Sequence, residues 1–195
     1  MVKESKINIA PVKIGRIKLK VIGTSPYMPE PMDMAVVERY NAKKSNQIYI
    51  KDDIPEEEKV KYKYYYTNEG KKAVPTRAFY KAMIRASSYL IDKTDGGMRN
   101  VKEGVNIVGN MLPLKYSNEE VLTHWGRTAG RTRSPRKIMR NSFNDWKAEL
   151  TIEYNQTQLS PEQIVNILNW AGFHIGVGAF RKENTGNFGA FYVKM

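Results

Sequence analysis

Gly176-Val177-Gly178-Ala179-Phe180-Arg181-Lys182-Glu183-Asn184-Thr185-Gly186-Asn187-Phe188-Gly189 sets two pairs of spaced glycines around a short polar segment with two cations. Glycine admits positive φ and close backbone approach, so this density predicts a shaped loop. A well-marked helix precedes it. Ser160 suits an N-cap, Pro161 the first helical position, and Gln163 completes a capping box. Ile164, Val165, Ile167, Leu168 and Ala171 make its apolar face, and Gly172 is placed to end it. Phe188 to Lys194 then reads as a strand. Taken alone, the loop equally suits a hairpin whose glycines serve only as turns.

Working outward from this end, Trp146 to Tyr154 alternates, with Trp146, Ala148, Leu150 and Ile152 on one side and Lys147, Glu149, Thr151 and Glu153 on the other. Gly104 to Leu114 reads as another strand, and Lys93 to Lys102 as a flexible basic loop. Pro75 and Thr76 open a long helix to about Asp92, its buried stripe being Phe79, Ala82, Met83, Ala86 and Leu90. Val12 to Ile22 is a period-two strand with a basic face and one slip of phase at Gly15. The prolines at 26, 29 and 31 stop it. Met34 to Lys44 reads as a short helix, Ser45 to Lys61 as a surface connection, and Tyr62 to Tyr66 as an aromatic strand-like segment. The coarse order is strand, helix, strand, strand, helix, strand. That order predicts an α+β fold, a ferredoxin-like or RRM-like βαββαβ core in a single domain over 1–195, with insertions at about 24–74 and 115–145.

Composition narrows the chemistry. There is no cysteine, which removes disulfides, thiolate metal sites and cysteine nucleophiles, and only two histidines, His124 and His174, are present. No apolar run approaches the roughly 20 residues of a membrane span. Met1-Val2-Lys3-Glu4-Ser5-Lys6 has no apolar signal core behind it, so the expected location is cytoplasmic, with no membrane partner. The net charge is +12, from 32 Lys and Arg against 20 Asp and Glu, which favours polyanionic partners. The signs are also separated. Asp52, Asp53, Glu56, Glu57 and Glu58 cluster, whereas Gly126 to Asn144 holds Arg127, Arg131, Arg133, Arg136, Lys137 and Arg140 with no acid. Such a segment predicts a partner-facing basic patch.

A basic first strand, this element order, an arginine-rich insertion and the closing Gly176/Gly178/Gly186/Gly189 loop resemble the RAMP superfamily, the RRM-like RNA-binding proteins of CRISPR effector complexes. The likeness is fullest from Trp146 onward. The chain is also similar to small phage-encoded proteins with the same final glycine-rich pattern, which would place it in a host cytoplasm. In RAMP proteins the glycine-rich loop lies against the RNA backbone and the sheet or an insertion holds the bases. The resemblance therefore implies that Gly176, Gly178, Gly186 and Gly189 shape the loop while Arg181 and Lys182 reach phosphates. One departure stands out. Processing endonucleases of the superfamily commonly use a histidine near the first helix, and none lies there.

Arginine forks bind phosphate oxygens in bidentate fashion and stack on bases, so the segment from Arg127 to Arg140 is a phosphate-binding candidate in its own right. Ser134 and Pro135 favour a strand-like arm or loop over a helix there. Tyr62, Tyr64, Tyr65 and Tyr66, interleaved with lysines, suit either a base-stacking platform or, as preferred here, an ordinary core or edge strand. His174 with Arg181 is the one arrangement that could serve strand cleavage. No catalytic residue is assigned beyond that candidate, and neither cofactor nor metal is expected, the acidic run at 52–58 reading as a solvated loop. The sequence thus points to non-catalytic binding of single-stranded RNA or DNA, with a homo-oligomer or filament expected by analogy. Two alternatives stay open: capture of a small anionic, cyclic nucleotide in phage–host defence, and a metal-independent endoribonuclease.

Overall fold

Alternation in the first strand decides where the core lies. In β1 (Ile14–Gly23) Leu19 and Val21 are buried while Lys18 and Lys20 are exposed, so one face of the strand is dry and the other basic. The computed structural model describes residues 11–31, 55–90, 97–127 and 134–195. It sets β1 between β8 (Lys147–Asn155) and β9 (Phe191–Lys194), with β4 (Val105–Ile107) outside β8. All three pairings are antiparallel, and Leu19 faces Leu150 while Val21 faces both Ala148 and Val193. Counting only the core strands, the sheet order is second, third, first, fourth. That is the ferredoxin-like βαββαβ arrangement, and the fold is α+β.

Helices α2 (Thr76–Leu90) and α4 (Pro161–His174) cover the apolar face of this sheet. Phe79 of α2 meets Phe191 edge-on at 5.3 Å and Trp146 at 6.5 Å between ring centroids. Trp146 is wholly buried, lies over Gly23, and donates from Nε1 to the Ser25 carbonyl at 2.8 Å. Burying a ring of this size contributes roughly 3 kcal/mol. The α4 capping box forms as the sequence predicts: Ser160 Oγ accepts from the Gln163 amide at 3.2 Å, and Gln163 Oε1 accepts from the Ser160 amide at 2.8 Å.

Several expectations are corrected. Gly172 does not end α4; it lies inside it, where a Cβ would come within 2.0 Å of the Phe191 carbonyl, so its role is to let the helix approach β9. The strand expected over Gly104 to Leu114 is two short ones, β4 and β5 (Met111–Pro113), split by a turn at Gly109 with φ +85°. Residues 97–102 of the expected basic loop lie in α3 (Gly97–Gly104), whose residues Gly97, Val101 and Gly104 recur at helical spacing and are buried. The short helix expected at 34–44 lies outside the described residues.

The remaining described elements lie outside the four-stranded sheet and its two helices. β2 (Tyr65–Tyr66), β3 (Lys72–Pro75) and β5 make a small sheet beside the core. The aromatic segment is less of a strand than expected, since Tyr62 closes a 3₁₀ turn (Val60–Tyr62) that follows a helical turn, α1 (Glu56–Lys59), and only Tyr65–Tyr66 form β2. β6 (Asn118–Arg127) and β7 (Pro135–Asn144) pair along ten residues each as an antiparallel ribbon.

Candidate nucleic-acid interface

The glycine-rich loop is folded against its own chain. Ile175 caps α4, the chain turns at Gly176, and the Ala179 amide donates to the Met28 carbonyl at 2.9 Å. Gly178 has φ +85°, and a Cβ there would lie 2.2 Å from the Met28 oxygen; at Gly189, with φ +69°, it would lie 1.7 Å from the Val177 oxygen. The close neighbours these glycines admit are the protein's own atoms, the Met28 and Val177 backbone and, at Gly178, the Tyr27 ring. Arg181 is held inward, donating from Nε to Glu183 at 3.0 Å and from Nη1 to the Gly178 carbonyl at 3.1 Å. Lys182 points elsewhere, with its Nζ 3.9 Å from the centre of the Phe173 ring.

A cleft of about 600 Å³ opens between this loop and α2. Ile175, Gly176, Val177, Gly178, Arg181 and Glu183 line one wall, and Arg77, Ala78, Lys81 and Arg85 the other, with Tyr27, Glu30 and Tyr65 at the floor and rim. The α2 cations follow from helix geometry. Arg77, Lys81 and Arg85 recur every four residues, so they stand one above another on the exposed side, about 6 Å apart along the axis, while Phe79, Ala82, Met83 and Ala86 hold the core side. Arg85 pairs with Glu183, which also holds Arg181; no described acid pairs with Arg77 or Lys81. This stripe escaped the sequence reading because its cations are spaced out, although their period of four was there to be found.

The arginine-rich insertion is divided. Arg131 and Arg133 lie outside the described residues, and Arg127 pairs through its backbone with Pro135 at the end of the ribbon. Arg136 and Lys137 do not stand apart from the acids. Arg136 Nη2 donates to Glu56 Oε1 at 2.9 Å, and Lys137 bonds Glu57. Glu56 further accepts from Lys63 at 2.8 Å and Lys59 at 3.3 Å. Burial would push its carboxyl up, but the hydrogen bonds from Lys63, Arg136 and Lys59 hold it down at about 2. The charge segregation visible along the chain is thus partly undone in space. Arg140 is the member of this group that reaches the cleft rim, donating to Glu30 at 3.1 Å.

The two histidines are placed apart from one another's surroundings. His174 is exposed on α4, 4.2 Å from Trp170 and 4.8 Å from Phe173 by ring centroids, and is not among the cleft-lining residues. His124 of β6 packs instead on the glycine-rich loop, 4.7 Å from Phe180 and 5.9 Å from Phe188, which joins ribbon and loop. Its neighbour Trp125 is 75% exposed. Tyr64 lies against Phe143 at 6.2 Å and donates to Glu119 at 2.6 Å, an edge-of-core placement rather than a free stacking surface. Among the described residues no group of His, Asp and Glu is arranged to hold a metal ion. No helix among them is long and apolar enough to cross a membrane.

No protein-family model and no curated protein matches the chain. A solved structure does. A chain in the cryo-EM structure of the Type III-B Cmr-beta bound to cognate target RNA aligns with a TM-score of 0.54 at 9% identity, over 94% of this chain and 60% of that one. At that identity the likeness is one of fold.

Proposed function

We propose that this chain is a RAMP-type protein, one RRM-like domain with insertions, that binds single-stranded RNA in the cleft between α2 and the glycine-rich loop without cutting it. The observation that carries this is the exposed Arg77–Lys81–Arg85 stripe facing Gly176, Gly178 and Arg181 across that cleft. Three cations in line along a helix suit successive phosphates of one strand, and affinity from such contacts is salt-dependent. RNA is preferred over DNA because the structural neighbour, which shares the fold, belongs to a complex bound to target RNA. Arg140, at the cleft rim, would extend the contact, and copies of the chain would line up along a strand. The open face of the four-stranded sheet is a poorer seat, since its exposed positions on β1 and β8 are mostly Lys, Arg, Thr and Glu rather than aromatic residues.

One observation favours the alternative of a small anionic nucleotide: about 600 Å³ is a volume that small-ligand pockets share. Calorimetric titration with a dinucleotide, a cyclic dinucleotide and oligomers up to about 16 nucleotides separates the two. Affinity that grows with oligomer length supports strand binding; tight binding of the small ligands with poor binding of the long ones overturns it. The same oligomers stay intact on long incubation with or without Mg²⁺. Reproducible cleavage lost in His174→Ala would instead make the chain a ribonuclease.

A further inference from the structure

The basic stripe of α2 does not stop at Arg85. Four residues on, Tyr89 continues it, and Tyr89 is 73% exposed. Its ring stacks on Trp170 of α4 at 4.9 Å and 21°. Trp170 in turn lies 4.2 Å from His174, His174 meets Phe173 edge-on at 4.8 Å, and Phe173 carries Lys182 Nζ 3.9 Å from its ring centre. Phe173 is itself 62% exposed. Aromatic rings that serve only the core are buried, whereas Tyr89, Phe173 and His174 are exposed and are ordered around Trp170, which is half-buried and packs against the core. The flanking charge is positive: Arg85 and Lys182 border the rings, and Glu183 between them is already held by Arg85 and Arg181.

From this placement we infer that Tyr89, Trp170, His174 and Phe173 form a stacking platform for an unpaired base of the strand where it leaves the cleft at the Arg85 end. The inference rests on the cleft binding single-stranded nucleic acid. Stacking on protein rings needs no particular base, because every base offers a π-face, and a rigid ring set loses little freedom on binding. An exposed aromatic surface also suits a protein partner, but the bordering cations complement a phosphate backbone and leave no free acid among the described residues named here to attract a basic peptide.

The experiment uses the full chain and oligonucleotides carrying a single 2-aminopurine at successive positions. In the wild type, fluorescence should be quenched at one or two adjacent positions. Tyr89→Ala and Phe173→Ala should each abolish that quench and weaken binding roughly five- to hundredfold, with Tyr89→Phe restoring both, while the salt slope stays as in the wild type. Melting curves establish that the variants are folded, as exposed positions predict. Wild-type quench and affinity in Tyr89→Ala, alongside a reduced salt slope in an Arg77/Lys81/Arg85 variant, overturns the platform and leaves the cleft standing. Loss of self-association in Tyr89→Ala with unchanged nucleic-acid binding overturns it in favour of a protein interface. Absence of any oligonucleotide binding by the wild type removes the cleft and, with it, the platform.

Discussion

Gly178 holds a backbone conformation, and Glu56 a set of ion pairs, that another residue would not. At Gly178 the left-handed φ of +85° and a would-be Cβ 2.2 Å from the Met28 carbonyl add together. Gly178→Ala should therefore cost about 1–3 kcal/mol from backbone strain alone, read as a lower melting temperature, before any effect on binding is measured. A variant that melts like the wild type but no longer binds would show that the space belongs to a ligand. Glu56 is a pH-dependent fastening between α1 and the ribbon. Its carboxyl is depressed from 4.5 to about 2. A depressed carboxylate gives stability that is fully present above the unfolded value and is lost as pH falls toward the folded one. The wild type should thus lose stability between about pH 4.5 and 2 more steeply than Glu56→Gln, which is the less stable of the two at pH 7. Parallel urea curves for the two proteins at pH 7 and pH 3 check this, and identical pH dependence would contradict it.

The ribbon, the loop and α2 differ in how far the sequence revealed them. α4 was fully legible at its start because its capping box is local: Ser160, Pro161 and Gln163 are enough. Its end was not, since Gly172 faces Phe191, a contact that only the folded sheet creates. The glycine-rich loop was recognisable by composition, but what its glycines accommodate is the backbone at Met28 and Val177, remote or hidden in the chain order. The arginine segment is one acid-free patch in the sequence because Glu56 and Glu57 lie some eighty residues upstream of their partners Arg136 and Lys137. Cations already paired within the protein release few counterions. Replacing Arg136 and Lys137 together by glutamine should lower the melting temperature while leaving the salt dependence of binding nearly unchanged. A fall in the log–log slope of about 1.4, two full phosphate contacts at roughly 0.7 each, would put them back in the interface.

At the scale of the whole molecule, a ferredoxin-like sheet buries one face under two helices, and the cleft arises where the first of those helices passes the loop that follows the second. The core was within reach of the sequence because it follows from alternation at Leu19, Val21, Leu150 and Ile152, and the sheet order because it follows from the order of strands and helices along the chain. The cleft was not, since its two walls are separated by some ninety residues of chain and meet only through the fold. Its chemistry is plain: exposed cations on a helix, a largely backbone-lined wall opposite, and the carboxylates Glu30 and Glu183 already paired with arginines. The most direct test is the salt dependence of binding to a single-stranded oligonucleotide with Arg77, Lys81 and Arg85 all replaced by glutamine. Loss of Arg77 and Lys81, which pair with no described acid, should lower the log–log slope by about 1.4 at roughly 0.7 each, Arg85 being already held by Glu183. A folded triple variant with the wild-type slope and affinity would contradict the account.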